Sequence, residues 1–336
     1  MRPRRLALPP ATVIAVFVLL LAVTVPAGMA IGLPSKSASS APDTSPVQAD
    51  PLPLLTPTDP PTPEKTPSAP DPVAPAPAPS PEVEVEIEGF LAWAYLDRTT
   101  GATRESANAH ETSSTESMIK SWIVADHLRR ASADGDAPSN QSLRDARLAI
   151  RDSHDGAAER LYRHNGADAV VQRMIKICGL TDTYIPEHGR GWWSRTEMSA
   201  RDAVRLGECL ADGRAAGPEW TDWLLSEMRQ VRGSTDPADQ HPELGVGGGR
   251  WGIIDALPEE EAAQVAIKNG WTRIGYDNSW HLTCLAITDD WVLAVIMRYP
   301  AEYSLDYGAR RCAAVAEQVL PPSSSPAPAS MEPMVH

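Results

Sequence analysis

From Pro34 to Glu82 the chain is dominated by proline, alanine, serine and threonine, and such a tract cannot bury enough apolar surface to offset the entropy of ordering it. Any packed core is therefore confined to the residues beyond it. We read residues 34–82 as a disordered linker, residues 83–320 as one globular domain and residues 321–336 as a second disordered tail. Ahead of the linker, Arg2, Arg4 and Arg5 precede an apolar run from about Ala11 to Leu33, so residues 1–33 read as a signal or anchor segment. The run is long enough to cross a bilayer with its basic end on the cytoplasmic side. Cleavage near Val25-Pro26-Ala27 or Gly28-Met29-Ala30 is the alternative. Either way the domain is expected outside the cytoplasm, membrane-anchored through this segment or secreted. No cysteine lies in the segment to accept a lipid.

The formal net charge of −14 and scattered arginines exclude nucleic acid as a partner, because gripping phosphates needs clustered cations. Phenylalanine is nearly absent, whereas ten tryptophans supply large apolar surfaces, so tryptophan is expected to anchor the core. All four cysteines, Cys178, Cys209, Cys284 and Cys312, fall inside the domain, and an even number in an exported protein suggests disulfides. Three pairings are possible. Grouping by region favours Cys178 with Cys209 and Cys284 with Cys312, and four buried thiols are the alternative. No two cysteines have ligand spacing and only His281 lies near one of them, so neither a metal nor a cofactor is expected.

Val83 to Leu96 alternates and then runs apolar, which predicts a strand, with a second short strand before Ser114. Met118, Ile119, Trp122, Ile123 and Leu128 recur at helical spacing, predicting a buried helix from near Ser117 to about Ala131. Further helical patterns occupy 141–151, 155–164, 166–177, 199–211 and 218–230, the fourth with a capping-box pair, Ser199 and Asp202. The glycines from Gly245 to Gly249 read as a mobile loop, since they lack the ending of a phosphate loop. Strands are predicted at Gln264–Lys268, Trp280–Ile287 and Trp291–Tyr299, with Asp289-Asp290 as a hairpin turn, and a last helix at Leu305–Val319. This order predicts an α/β fold of the α+β type: an antiparallel sheet flanked by N- and C-terminal helices, with an inserted all-helical lobe.

Only five lysines, Lys36, Lys65, Lys120, Lys176 and Lys268, stand among thirty lysines and arginines. Where lysine persists inside such a domain, an amine able to lose its proton is the reason to look for, since guanidinium cannot do so. Ser117-Met118-Ile119-Lys120 puts a hydroxyl and an amine one helical turn apart on one face. A lysine desolvated there can take the serine's proton, and the helix N-terminus favours developing negative charge. Ser-x-x-Lys alone is a weak signal, which an ordinary N-cap serine also explains.

Downstream stand Ser153-His154-Asp155, in a loop before a helix, and Lys268-Asn269-Gly270, ending a strand. These three sets, in this order, resemble the Ser-x-x-Lys, Ser-Asp-Asn and Lys-Thr-Gly motifs of class A β-lactamases and penicillin-binding proteins. The resemblance covers about Glu88 to Leu320 and extends to Trp192-Trp193-Ser194-Arg195-Thr196, which is similar to the loop those proteins place beside their site. It implies that Ser117 is the acylated nucleophile, Lys120 its base and Ser153 a proton relay to the leaving nitrogen. It further implies that Lys268 helps bind a substrate carboxylate, and that the N–H groups of Ser117 and Trp271 form the oxyanion hole. Asp155, Asn269, Gly270, Trp271 and Thr272 are the implied substrate contacts.

Two of the three motifs depart from the family pattern. His154-Asp155 replaces Asp-Asn, and Asn269 replaces threonine. No glutamate stands in an obvious place to activate water, and Glu187 is the nearest candidate for such a base. The expectation is therefore a serine acyl-enzyme hydrolase acting on β-lactams or peptidoglycan peptides, with slow deacylation. A non-catalytic wall-associated binding module on the same fold is the rival.

Overall fold

The computed structural model describes residues 83–321, and the expected signal or anchor segment, the linker and residues 322–336 of the tail lie outside them. Among the described residues no helix is long and apolar enough to cross a membrane. Ten strands and eight helices succeed one another: β1 (Phe90–Asp97), β2 (Thr103–Glu105), β3 (Thr112–Ser114), α1 (Lys120–Ala133), α2 (Asn140–Arg151), α3 (Asp155–His164), α4 (Asp168–Cys178), β4 (Glu197–Ser199), α5 (Ala200–Ala211), α6 (Thr221–Arg229), β5 (Gln240–His241), β6 (Val246–Gly247), α7 (Glu259–Ala262), β7 (Ala266–Ile267), β8 (Gly270–Ile274), β9 (Ser279–Ile287), β10 (Trp291–Pro300) and α8 (Leu305–Val319).

The main sheet is antiparallel, in the order β2-β1-β10-β9-β7, with β8 also on β9. Side chains along β9 alternate between its faces. Leu285 and Ile287 lie close to Gly207 of α5, whereas Leu282 lies close to Gly308 of α8. At both glycines a Cβ would come within 2.6 Å of a neighbouring side chain, so absent side chains are what let each helix approach the sheet. Helices α1 to α4 and α6 build the lobe between β3 and β7. Trp122 of α1 is fully buried in it, with its indole N–H donating to the Val170 carbonyl at 2.8 Å. Burying ~200 Å² of indole contributes about 5 kcal/mol, and the hydrogen bond removes the cost of hiding its donor. Trp93, Trp193, Trp251 and Trp291 are also buried, so half of the tryptophans serve the core.

The disulfides pair within regions as expected. Cys178–Cys209 ties the end of α4 to α5 across 31 residues, and Cys284–Cys312 ties β9 to α8 across 28. By loop entropy each contributes roughly 3 kcal/mol.

Several expectations are revised. Val83 to Ile87 alternates in burial but pairs with no strand; Glu84 instead exchanges backbone hydrogen bonds with the Gln318 side chain of α8. Among the described residues this extended segment, and no helix, precedes β1. The strand foreseen at Gln264–Lys268 shortens to β7, and β8 resumes the same edge after a break at Lys268-Asn269. Ser199 Oγ caps α5 by accepting from Asp202 N–H, but the Asp202 carboxylate turns to the Thr181 and Asp182 amides and the Thr183 hydroxyl. The glycine-rich stretch, expected to be a mobile loop, supplies β6, one arm of the small β5–β6 hairpin. Gly247, Gly248 and Gly249 donate their N–H groups to Asp152, Asp239 and Arg232 carbonyls.

Candidate active site

The chain approaches Ser117 through β3, which pairs with β4, and then turns sharply. Glu116 has a positive φ of 47°, a conformation that costs a non-glycine residue energy and needs support from its surroundings. Residues Glu116–Ile119 form a single 3₁₀ turn, and α1 starts only at Lys120. The α-helix thus begins three residues later than its sequence pattern suggests. In a 3₁₀ turn residues three apart eclipse one another, so Ser117 and Lys120 still share a face.

Strand β8 closes on this turn. A Cβ at Gly270 would lie 2.7 Å from the Ser117 and Met118 nitrogens and 2.6 Å from the Thr115 carbonyl oxygen. Only glycine fits, and its absence of a side chain brings the backbone of Gly270-Trp271 against that of Ser117.

Three polar side chains interlock beside this contact. Lys120 and Lys268 are both fully buried. Lys120 Nζ lies 3.2 Å from Ser153 Oγ and 2.6 Å from Asp155 Oδ1, and also donates to the Ser153 carbonyl. Lys268 Nζ lies 3.0 Å from the same Ser153 hydroxyl and 3.1 Å from the Asn269 carbonyl. Ser153 itself adopts a φ of 50°, held between α2 and α3. Desolvation lowers the Lys120 amine to about 8 against the opposing pull of Asp155. Burial, together with the lesser effect of the Lys120 charge, pushes Lys268 well below its ordinary range. Two amines sharing one hydroxyl cannot both stay comfortably protonated.

The remaining predicted residues divide. Trp193 lays its ring 5.0 Å from Lys120 Nζ while its indole N–H donates to Glu159 at 3.0 Å, closing the amine off from that direction. Asn269, expected to face substrate, is buried and donates its amide to the Gly249 and Trp251 carbonyls at 3.0 and 2.7 Å, where it ties down the glycine-rich stretch. Trp271 donates to Gln240 Oε1 at 3.0 Å, and Thr272 is exposed. The Ser117 hydroxyl, half-buried, has no hydrogen-bond partner among the described residues. Glu187 is exposed at the start of a short 3₁₀ turn, and among the described residues no hydrogen bond joins it to Ser117, Lys120 or Ser153.

No sequence motif announces a second polar chain beside the first. Ser114 Oγ lies 2.7 Å from Glu116 Oε1 and 2.7 Å from His281 Nδ1, and His281 Nε2 lies 2.7 Å from Asp277 Oδ2. Burial pushes the Glu116 carboxyl up, with the Ser114 hydrogen bond opposing it, and pushes the His281 imidazole down, with Asp277 opposing it. Proton bookkeeping allows two complete arrangements. Either Glu116 is ionised and His281 carries both ring protons, or Glu116 is protonated and His281 keeps only its Nε2 proton. Both hold the same number of protons, and the Ser114 hydroxyl converts one into the other.

No family model matches the chain. It is 34% identical over 185 residues to the protein described as "Putative lipoprotein LppW" in Mycobacterium tuberculosis and in Mycobacterium bovis. The match covers 54% of this chain and 54% of the relative, so the chain spans about half the length of the curated relatives it matches. Among solved structures it is similar to PBP-A, with a TM-score of 0.52 at 17% identity over 70% of this chain and 91% of that one. It is similar also to a class A β-lactamase from Mycobacterium abscessus, with a TM-score of 0.50 at 15% identity over 69% and 93%. A point mutant of PBP-A, at a TM-score of 0.50 and 16% identity over 68% and 88%, is described as an acyl-enzyme complex with penicillin G. At these identities the likeness shows the fold, and that fold is the one shared by class A β-lactamases and PBP-A.

Proposed function

We propose that the domain is a serine acyl-transfer enzyme that takes β-lactams or peptidoglycan peptides onto Ser117 and releases them slowly. The observation that supports this most is the pair of buried amines converging on the Ser153 hydroxyl, at 3.2 and 3.0 Å. In this reading neutral Lys120 takes the proton of Ser117 Oγ as that oxygen attacks the carbonyl carbon. The Ser117 and Trp271 N–H groups receive the oxyanion. Ser153 passes its proton to the leaving nitrogen and regains one from the ammonium it bonds. With Lys120 lowered to about 8, about a tenth of it is unprotonated at pH 7, which suffices for a working base. Release is slow in this reading because, among the described residues, no carboxylate hydrogen-bonds the Ser117 hydroxyl, so none is held in place to activate water there. Glu187, exposed and without a hydrogen bond to Ser117, Lys120 or Ser153 among the described residues, is not held for that task.

One observation favours a binding module instead. The Lys120 amine bonds Asp155 at 2.6 Å while the Ser117 hydroxyl has no partner among the described residues, an arrangement that holds the base in its charged form. The two readings part on whether penicillin adds covalently to Ser117, which mass spectrometry of the intact protein decides.

Two disulfides suit an oxidising, extracytoplasmic compartment. We place the domain at the cell wall, held by residues 1–33 or released from them. The name of the mycobacterial relative suggests a lipid anchor for that protein, but in this chain all four cysteines are in disulfides and none is left to carry a lipid.

A further inference from the structure

Four large hydrophobic side chains stand exposed among the described residues: Tyr184, Trp192, Leu244 and Tyr276, at 50%, 61%, 65% and 69%. Singly they would need no explanation. All four, however, come from segments that adjoin the cluster around Ser117. Gly245, next to Leu244, accepts from the Asp155 N–H at 2.7 Å. Trp192 precedes Trp193, the cover of Lys120. Tyr184 pairs with Glu197, the partner of Ser114 in the β3–β4 ladder. Tyr276 lies in the turn after β8, whose Gly270 packs on Ser117. Apolar exposure gathered about a polar centre marks a surface that meets a ligand.

Arg195 is the cation of this rim. Its guanidinium carbon lies 5.7 Å from the Trp192 ring centre and 5.4 Å from that of Tyr276, so rings from two separate loops hold it. Among the described residues the guanidinium makes no hydrogen bond and no ion pair. The acids nearest in charge are engaged elsewhere: Glu116 accepts from Ser114, and Glu197 from Thr112, so both feel Arg195 without touching it. A guanidinium fixed by its faces, with its N–H edge unused, is prepared for a carboxylate, which it can grip with two parallel hydrogen bonds.

We infer that Arg195, held by Trp192 and Tyr276, is a specificity subsite for a carboxylate on the ligand, separate from any carboxylate that Lys268 meets. The inference rests on the proposed acylation at Ser117. The ligand class it selects is a peptide-like acyl donor whose side chain ends in a carboxylate on an apolar stem, the stem lying on the exposed rings. Benzylpenicillin and carbenicillin differ by one side-chain carboxylate, carried on the carbon that bears the phenyl ring, which makes the pair a direct probe of the charge. Their labelling rates would be followed by intact-mass spectrometry on the full chain, in wild type, Arg195→Gln and Arg195→Glu.

The wild type should be labelled about fivefold faster by carbenicillin, the size expected of a half-exposed ion pair, and the preference should fade as ionic strength rises. In Arg195→Gln the ratio should fall to about one, and in Arg195→Glu it should invert. Each variant supplies its own reference in benzylpenicillin, so a folding defect cancels in the ratio. Equal rates in the wild type, or an undiminished preference in Arg195→Gln, would overturn the subsite while leaving acylation at Ser117 in place. No adduct from either compound on the wild type would overturn both.

Discussion

Two hydrogen-bonded chains reach within three residues of Ser117, and burial acts differently on their protons. The amine chain, Lys120 to Ser153 to Lys268, loses protons on burial. The acid chain, Glu116 to Ser114 to His281 to Asp277, gains one at Glu116 and loses one at His281. The common cause is the cost of hiding charge, and the common result is a Ser117 hydroxyl flanked by groups drawn toward neutrality. The chains differ in what resists this. Asp155, more than half exposed, holds Lys120 protonated from the solvent side, whereas the acid chain can keep all its links by moving one proton internally. We therefore assign reactivity to the amine chain and the shape of the Ser117 turn to the acid chain.

The largest test of that division is Lys120→Arg. Arginine keeps the charge and cannot take the proton, so acylation by penicillin should fall about 1,000-fold while Lys268 and Ser153 remain. A loss under tenfold would remove Lys120 from the role of base.

Asp155→Asn should act in the other direction. The Asp155 carboxylate raises the Lys120 pKa, so its removal lowers it further below about 8 and leaves more free amine at pH 7. Acylation at pH 7 should rise about fivefold, and the rising limb of its pH profile should move to lower pH. A slower variant would mean that Asp155 positions the ligand instead of restraining the base.

Cutting the acid chain should matter least. Ser114→Ala separates His281 from Glu116, and acylation should drop only about threefold, because the two buried links it removes shape the turn and take no part in the proton transfer. Arg195, Arg298, Glu197 and Thr272 also face these groups, so the signature is the pH profile rather than the rate alone. In the wild type an added proton on His281 leaves both neighbours of Ser114 donating to it, which produces an acid limb below ~6.5 because burial lowers His281. Ser114→Ala should abolish that limb. An unchanged limb would assign it elsewhere.

The two chains also differ in how they are written in the sequence. The amine chain follows from three short motifs, each local to a turn or a strand end, and the unusual persistence of lysine at Lys120 and Lys268 marks two of its members. Ser114 and His281 lie 167 positions apart and meet only because β3, paired with β4, packs beside β9, a tertiary placement that no spacing rule encodes. For the fold, helices with a clean 3.6-residue period are legible to the residue, as at Asp155–His164 and Leu305–Val319. Alternation at Val83–Ile87 correctly marks which side is buried but says nothing of pairing, and the segment lies along α8. Strand β8 escapes the periodicity because Trp271, Thr272 and Arg273 stay partly or fully exposed and break the apolar pattern. Asn269 resembles a substrate contact by its place in a motif, while the carbonyls of Gly249 and Trp251 that claim its amide lie outside that motif.

The central claim is covalent chemistry at Ser117, and intact-mass spectrometry after incubation with benzylpenicillin tests it most directly. Wild type should gain the mass of one opened penicillin and keep it for hours, because among the described residues no carboxylate hydrogen-bonds the Ser117 hydroxyl, and Ser117→Ala should gain nothing. A correctly folded wild type that stays unmodified would contradict the account and leave the binding module standing, while an adduct that persists in Ser117→Ala would place the nucleophile at another residue.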